Sequence, residues 1–340
     1  SLTLNELKQS FQELKRELRR GQKIDILGLD ACLMSMAEVC YELKDFVEIL
    51  IGSEGYSPAS GWPYQEILDR LAQEPKDGSG DIQDRVAIGI VEEYVNFYAD
   101  YWLGGLSVDQ SALKLAKADE LKSAIDALAN TLREKLEVAP VDQIFRDALI
   151  LAHWEAQSYN GEQFVDLLDF CQLLMRRYTN DGIPQLCQTI LDVIGNGDNR
   201  FVLKSCYNGP TYQYSHGVSI YFPWAQVAPS YGELDFTQKD SGWAEFLRVY
   251  TSKTRRMPRI TEATSKLLNQ GEIVGFESVN SSRTPQMFRK TDDKGTGNAV
   301  QSMRNPPLFA LPDDCIRERA NIIKELERFF AELLRLQSGD

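Results

Sequence analysis

KIDILGLDACLMSMAEVC, residues 23–40, joins an apolar run to a helical pattern with a cysteine at the seam. Ile24, Ile26, Leu27 and Leu29 make a short β-rich run that stops at Asp30, and from Leu33 to Asp45 apolar residues recur at helical spacing. The next stretch, FVEILIGSE (46–54), is apolar nearly throughout and reads as a second strand buried on both faces. Upstream, Thr3 and Glu6 have the spacing of a capping box ahead of Leu7, Phe11, Leu14 and Leu18, with Gly21 as the stop. Helix, strand, helix, strand is the order of a parallel α/β sheet.

Further along, GYSPASGWPY (55–64) has the Gly, Ser and Pro density of a loop. It follows the C-terminal end of a strand, where open α/β sheets build their sites, so Ser53, Glu54, Trp62 and Tyr64 are candidate pocket-wall residues. DGSGDIQD (77–84) lacks the twelve-residue calcium pattern and reads as a turn with Asp81 capping the next helix. Long amphipathic stretches near 84–102, 109–136, 141–157 and 164–194 are expected to be helical, HGVSIYFPW (216–224) to contain a strand. No internal repeat is present. Residues 251–304 hold ten Lys/Arg against five Asp/Glu, a net of +5 on an acidic chain, and read as a basic, loop-rich extension over 251–312. The last segment, 313–337, carries Ile316, Ile323, Leu326, Phe330, Leu333 and Leu334 near one helical face. That face is expected to pack on its own domain or in a partner's groove.

The net charge of −13 and pI near 4.8 argue against nucleic acid as a partner, since phosphate neutralisation needs clustered Lys and Arg. No window approaches eighteen consecutive apolar residues, so no membrane span is expected. Cysteines 32, 40, 171, 187, 206 and 315 form no CxxC pair or Cys/His metal spacing, and there are only two histidines. With Cys32 kept free, the remaining five cannot all pair, which favours a reducing compartment; cytoplasmic is slightly favoured over secreted.

Cys32 is expected at the C-terminal edge of a strand and at the N-terminus of a helix starting near Ala31, where unsatisfied N–H groups and the helix dipole depress a thiol pKa. A buried structural thiol is an equal reading of the spacing alone. Likewise, Asp30 reads as a strand-end or capping acid, or as a functional one.

DILGLDACLMSMAEVCYELKDFVEILIGSEGYSPASGWPY (25–64) resembles the segment around the catalytic cysteine of the clostripain-like cysteine peptidases, a branch of the caspase-fold endopeptidases. EAQSYNGEQFVDLLDFC (155–171), HGVSIYFPW (216–224) and SGWAEFLRVY (241–250) resemble that family in the same order, so the resemblance covers residues 1–250. It implies a caspase-like α/β/α sandwich with a mostly parallel sheet and helical additions. It implies that Cys32 is the nucleophile, with its own N–H in the oxyanion hole, and that Asp30 lines the S1 pocket of an enzyme cleaving after Arg or Lys. No cofactor is needed for that chemistry; some members require calcium, for which no ligands are assignable here.

The family's catalytic histidine lies in a His-Gly motif upstream of the helix that begins this chain, and nothing here corresponds to it. His153, in ALILAHWEAQ, reads as a core histidine, and His216 sits at the start of a strand. The expectation is that the histidine, the other oxyanion donor and the first strands reside on an upstream segment, a smaller chain released by self-processing that stays packed against this one. Two rivals accompany the peptidase reading. One is a catalytically dead caspase-like scaffold that binds a partner through 251–340. The other is a regulated intracellular peptidase of a bacterial stress or defence pathway with one protein substrate.

Overall fold

Asp30 and Ser53 leave the same edge of a sheet because β1 (Ile24–Gly28) and β2 (Val47–Gly52) are parallel, with Gly28 opposite Ile51. The structure is a computed structural model that describes residues 3–17, 22–73, 82–100, 106–160, 162–195, 200–238 and 241–254. The sheet continues to β3 (Val108–Lys114) and β6 (Val202–Asn208) in the order β1-β2-β3-β6. β3 is antiparallel to both neighbours, so β1, β2 and β6 run one way and β3 runs against them. Its first residues, not its last, therefore reach the edge at which β1 and β2 end.

Helices cover both faces, as the α/β sandwich requires. On one side α3 (Tyr64–Gln73) and α4 (Ile82–Asp100) share a core with Ile49, Ile51, Ala112 and Leu203. On the other, α2 (Ala37–Leu43) and α5 (Ala118–Glu137) share one with Leu50, Leu113 and Val202. Alternate residues of β2 enter opposite cores, which is why its sequence is apolar but for Glu48. The first helix, α1 (Leu4–Glu17), has the expected capping box: Glu6 N donates to Thr3 Oγ1 at 3.2 Å and Thr3 N to Glu6 Oε2 at 2.7 Å.

A second sheet, β4 (Ser158–Tyr159), β5 (Phe164–Asp166) and β7 (Ser219–Tyr221), is antiparallel throughout. Around it lie α6 (Gln143–Glu155), α7 (Leu167–Arg177), α8 (Ile183–Gly195), the short α9 (Asp235–Gln238) and α10 (Gly242–Thr254). The aromatic residues of the 216–224 and 241–250 segments meet here: Phe222 packs edge-on against Trp243, Phe246 and Tyr250. Trp243 Nε1 donates to Tyr221 O at 3.0 Å.

Several expectations need correction. The helix expected from Ala31 or Cys32 begins only at Ala37. Residues 34–36 are held extended, since Met34 N and Ser35 N donate to Ser53 O and Ser219 N donates to Ser35 O. That backbone is committed to strand-like pairing and cannot also close a helical turn. The stretch 109–136 divides into β3 and α5, and β6 lies between the expected helices and the strand expected at 216–224. VDQSALK and VLKSCYN become strands because they fill the middle and edge of the sheet, a tertiary demand their local pattern does not announce. The helix expected at 141–157 is α6, with β4 just after it, whereas β5 takes the first residues of the stretch 164–194 and the rest divides into α7 and α8. The Asp81 cap, the Gly21 stop, the basic extension beyond 254 and the C-terminal helix lie outside the described residues; residues 251–254 belong to α10.

Candidate active site

The chain leaves β1 at Gly28, passes Asp30 and turns at Ala31–Leu33, placing Cys32 on the turn. Leu33 takes φ of 61°, a left-handed conformation that costs a residue with a side chain on the order of 1 kcal/mol. Its N–H donates to Gly55 O at 3.0 Å, so the strained turn is pinned to the loop after β2. From that loop Ser57 N donates to Cys32 Sγ at 3.3 Å. Cys32 is half-buried, whereas Cys40, Cys171 and Cys187 are fully buried. Burial pushes the Cys40 and Cys171 thiols far up, which makes them inert. Because α2 starts five residues after Cys32, the cysteine is not at the N-terminus of that helix.

Asp30 lies exposed beside the turn, its Oδ2 accepting from Trp62 N at 3.1 Å and Tyr64 Oη at 2.8 Å. The loop 57–64 reaches the carboxylate because two glycines let it. Gly61, at φ 74°, comes so close that a Cβ there would lie 2.9 Å from Asp30 Oδ2, and a Cβ on Gly28 would strike the Trp62 ring at 2.7 Å. Tyr98 Oη closes the loop by donating to Gly61 O at 2.5 Å. Among the described residues Asp30 thus sits on an open surface rather than at the base of a closed pocket. Tyr64→Phe would remove one of the two hydrogen-bond donors to this carboxylate.

Of the four expected wall residues, only Tyr64 is exposed, at 56%. Trp62 buries its ring and offers Asp30 its backbone N–H. Ser53 and Glu54 are buried and form no wall at all; the parallel strand end carries them beneath the surface, onto β3. There Asp109, buried on β3, accepts from Glu54 N at 2.6 Å and from Gly55 N at 3.0 Å, with Ser53 Oγ at 3.3 Å.

Glu54 Oε2 accepts from Gly217 N at 2.7 Å. Burial, with Asp166 and Asp109 nearby, pushes the Glu54 carboxyl far up. Burial also pushes Asp109 up, to about 6. Sequence reasoning missed Asp109 and Asp166. Asp166 had a local signal, as the N-cap of α7 with Asp169 three residues on; Asp109 had none. A calcium site does not fit these groups. Among the described residues no cluster of three His, Cys, Asp or Glu side chains is placed to hold a metal ion. Both oxygens of Asp109, Asp166 Oδ2 and Glu54 Oε2 accept from backbone N–H groups instead.

Neither histidine hydrogen-bonds to Cys32. His153, on α6, is sandwiched between Phe222 and Trp224 at centroid distances of 3.6 and 3.8 Å. Its Nε2 lies 2.9 Å from Phe222 O and its Nδ1 2.8 Å from Tyr250 Oη. The carbonyl can only accept, so Nε2 carries the proton and Nδ1 accepts from the tyrosine. Burial pushes its pKa down to about 3, and it serves the core. Below pH 6.5 the unfolded chain takes up a proton that the folded chain refuses, so stability is lost as pH falls from 6.5 toward 3. Between pH 7 and 5 the loss is roughly 2 kcal/mol. Denaturant titrations of the wild type and His153→Gln should differ by this slope, and parallel pH dependences would refute a neutral buried His153. At His216 burial disfavours the charged ring, but Asp166 outweighs it and holds the pKa above the usual histidine value. His216 N and Nδ1 contact Asp166 at 2.5 and 3.2 Å.

A family model for the clostripain peptidases (Peptidase_C11, Clostripain family) matches residues 3–251. The chain belongs to the clostripain family. Clostripain of Hathewaya histolytica is 24% identical over 245 residues, covering 62% of this chain and 45% of that protein, so the chain spans less than half of that relative's length. Among solved structures, a clostripain from Bacteroides thetaiotaomicron in complex with the peptide inhibitor BTN-VLTK-AOMK superposes with a TM-score of 0.49 at 19% identity, covering 70% of this chain and 94% of that one. An inactive zymogen C11 protease from Parabacteroides distasonis gives 0.45 at 18%, covering 71% and 76%.

Proposed function

We propose that this clostripain-family protein is a cysteine endopeptidase that cleaves after Arg or Lys, with Cys32 as nucleophile and Asp30 as the acid that receives the cationic side chain. The observation that carries the reading is the turn itself. It sets a half-buried thiol and an exposed carboxylate two residues apart at the end of β1, each already braced by loop 57–64. Buried Cys40, Cys171 and Cys187 have no such access. Attack by the Cys32 thiolate on the scissile carbonyl forms a C–S bond, with the oxyanion directed to the Cys32 backbone N–H. The amine leaves with a proton from the general acid, and water then cleaves the thioester. That acid and base is a histidine from a segment upstream of these residues, because His153 is locked in the core and the described contacts of His216 run to Asp166. Processing between histidine and cysteine would leave two chains that co-purify.

The test is to incubate the full native protein with biotinylated Arg- or Lys-acyloxymethyl ketone and map the label. Label on Cys32, competed by Arg and Lys peptides and absent with an Asp analogue, is expected. A native gene that encodes no upstream His-Gly strand, together with an unlabelled Cys32, would overturn the peptidase and leave the scaffold.

A further inference from the structure

Two backbone N–H donors from one short segment converge on a single buried carboxylate, with the Ser53 hydroxyl, which donates to Gly55 O at 2.9 Å, beside them. Asp109 Oδ2 takes Glu54 N at 2.6 Å, while Oδ1 takes Gly55 N at 3.0 Å and lies 3.3 Å from Ser53 Oγ. The same segment makes the bonds that shape the nucleophile turn. Ser53 O accepts from Met34 N and Ser35 N at 2.9 and 3.0 Å, and Gly55 O accepts from Leu33 N at 3.0 Å. Two residues later Ser57 N reaches Cys32 Sγ. Every backbone N–H from 33 to 35 thus ends on a carbonyl of the segment that Asp109 holds.

The far side of the segment is held too. Tyr56 N donates to Tyr212 Oη at 2.9 Å, and Glu54 is tied to Gly217 N. Asp109 is the only one of these anchors that grips two consecutive backbone N–H groups. A carboxylate presents two acceptor oxygens to two such donors at once; an amide of the same shape must turn a donor toward one of them.

We propose that Asp109 is a positioning residue for the peptidase reaction: by fixing residues 53–55 it sets the strained turn at Leu33 and the contact of Ser57 N with the Cys32 sulfur. It touches neither the sulfur nor the place of the substrate. The inference rests on the peptidase reading of Cys32.

Its test is Asp109→Asn in the full native protein, with kcat and KM measured separately on an Arg peptide, the iodoacetamide alkylation rate of Cys32, and the melting temperature. The expected result is a kcat at least about 10-fold lower with KM within about 2-fold, and slower alkylation of Cys32 in the folded protein. A merely structural residue would lower the melting temperature yet leave kcat per folded molecule and the alkylation rate as in the wild type, and that result overturns the proposal. If Asp109→Asn does not fold, Ser53→Ala removes one tie and no charge. It is expected to lower kcat by about 2- to 5-fold, and an unchanged kcat overturns the proposal equally. A wild-type protein that cleaves nothing defeats the peptidase reading alone, because the alkylation rate still reports whether Asp109 positions the thiol.

Discussion

Cys32→Ala is expected to reduce hydrolysis of Arg and Lys peptides by about 10⁴-fold or more, the scale on which covalent nucleophiles act as a unit with their base. Folding should scarcely notice. The sulfur is half-buried, and its hydrogen bonds, from Ser57 N at 3.3 Å and to Ser57 O at 3.8 Å, are weak bonds to sulfur whose loss costs about 1 kcal/mol. Oxyanion and substrate contacts remain in the variant, so binding of an uncleaved Arg peptide should persist while turnover vanishes. Steady-state hydrolysis, a thermal melt and peptide binding by calorimetry check the three parts together. Turnover surviving in a folded Cys32→Ala protein would remove Cys32 from the chemistry.

The second large effect is one of selection. Asp30→Asn keeps an acceptor for Trp62 N and Tyr64 Oη but removes the charge that meets a guanidinium or ammonium group. A charge-assisted hydrogen bond contributes about 1.5–3 kcal/mol, and each 1.4 kcal/mol is tenfold, so kcat/KM for Arg and Lys peptides should fall about 10- to 100-fold. The exposure of Asp30 among the described residues places the expectation in the lower half of that range, since water screens the pair. A peptide with Gln before the cut should lose little, because it brings no charge. Comparison of matched Arg, Lys and Gln peptides decides the point: equal losses for all three would mean that Asp30 shapes the turn rather than reading the substrate.

What was legible in the sequence was local. The capping box at Thr3 and Glu6, the apolar run of β1, the doubly buried β2 and the loop rich in Gly and Pro each depend on contacts a few residues apart. Their periodicity or turn chemistry appears in any window that contains them. Asp109 shows the opposite case. In VDQSALK it is one acid in a pattern compatible with a helix, and nothing nearby says that β3 will run against β2 and bring its first residues under Glu54. The helix expected at Cys32 failed for a related reason. Residues 34–36 have helical spacing, but Ser53 and Ser219 claim their backbone groups, and a nonlocal pairing overrides a local preference.

The two histidines divide in the same way. The apolar surroundings of His153 in the sequence were enough to read it as a core residue, and its stack between Phe222 and Trp224 agrees. The role of His216, as a partner of Asp166, needed the second sheet to bring β5 beside β7. By itself, then, the sequence determined the strand, the Asp30–Cys32 spacing, the loop beyond Gly55 and the family, because covalent neighbours and local propensity carry that information. The tertiary structure alone decided which carboxyls are buried, which of them hold the turn, and that α2 starts five residues after Cys32. Those depend on pairings between residues as far as 184 positions apart, whose energies exist only once the sheet is assembled.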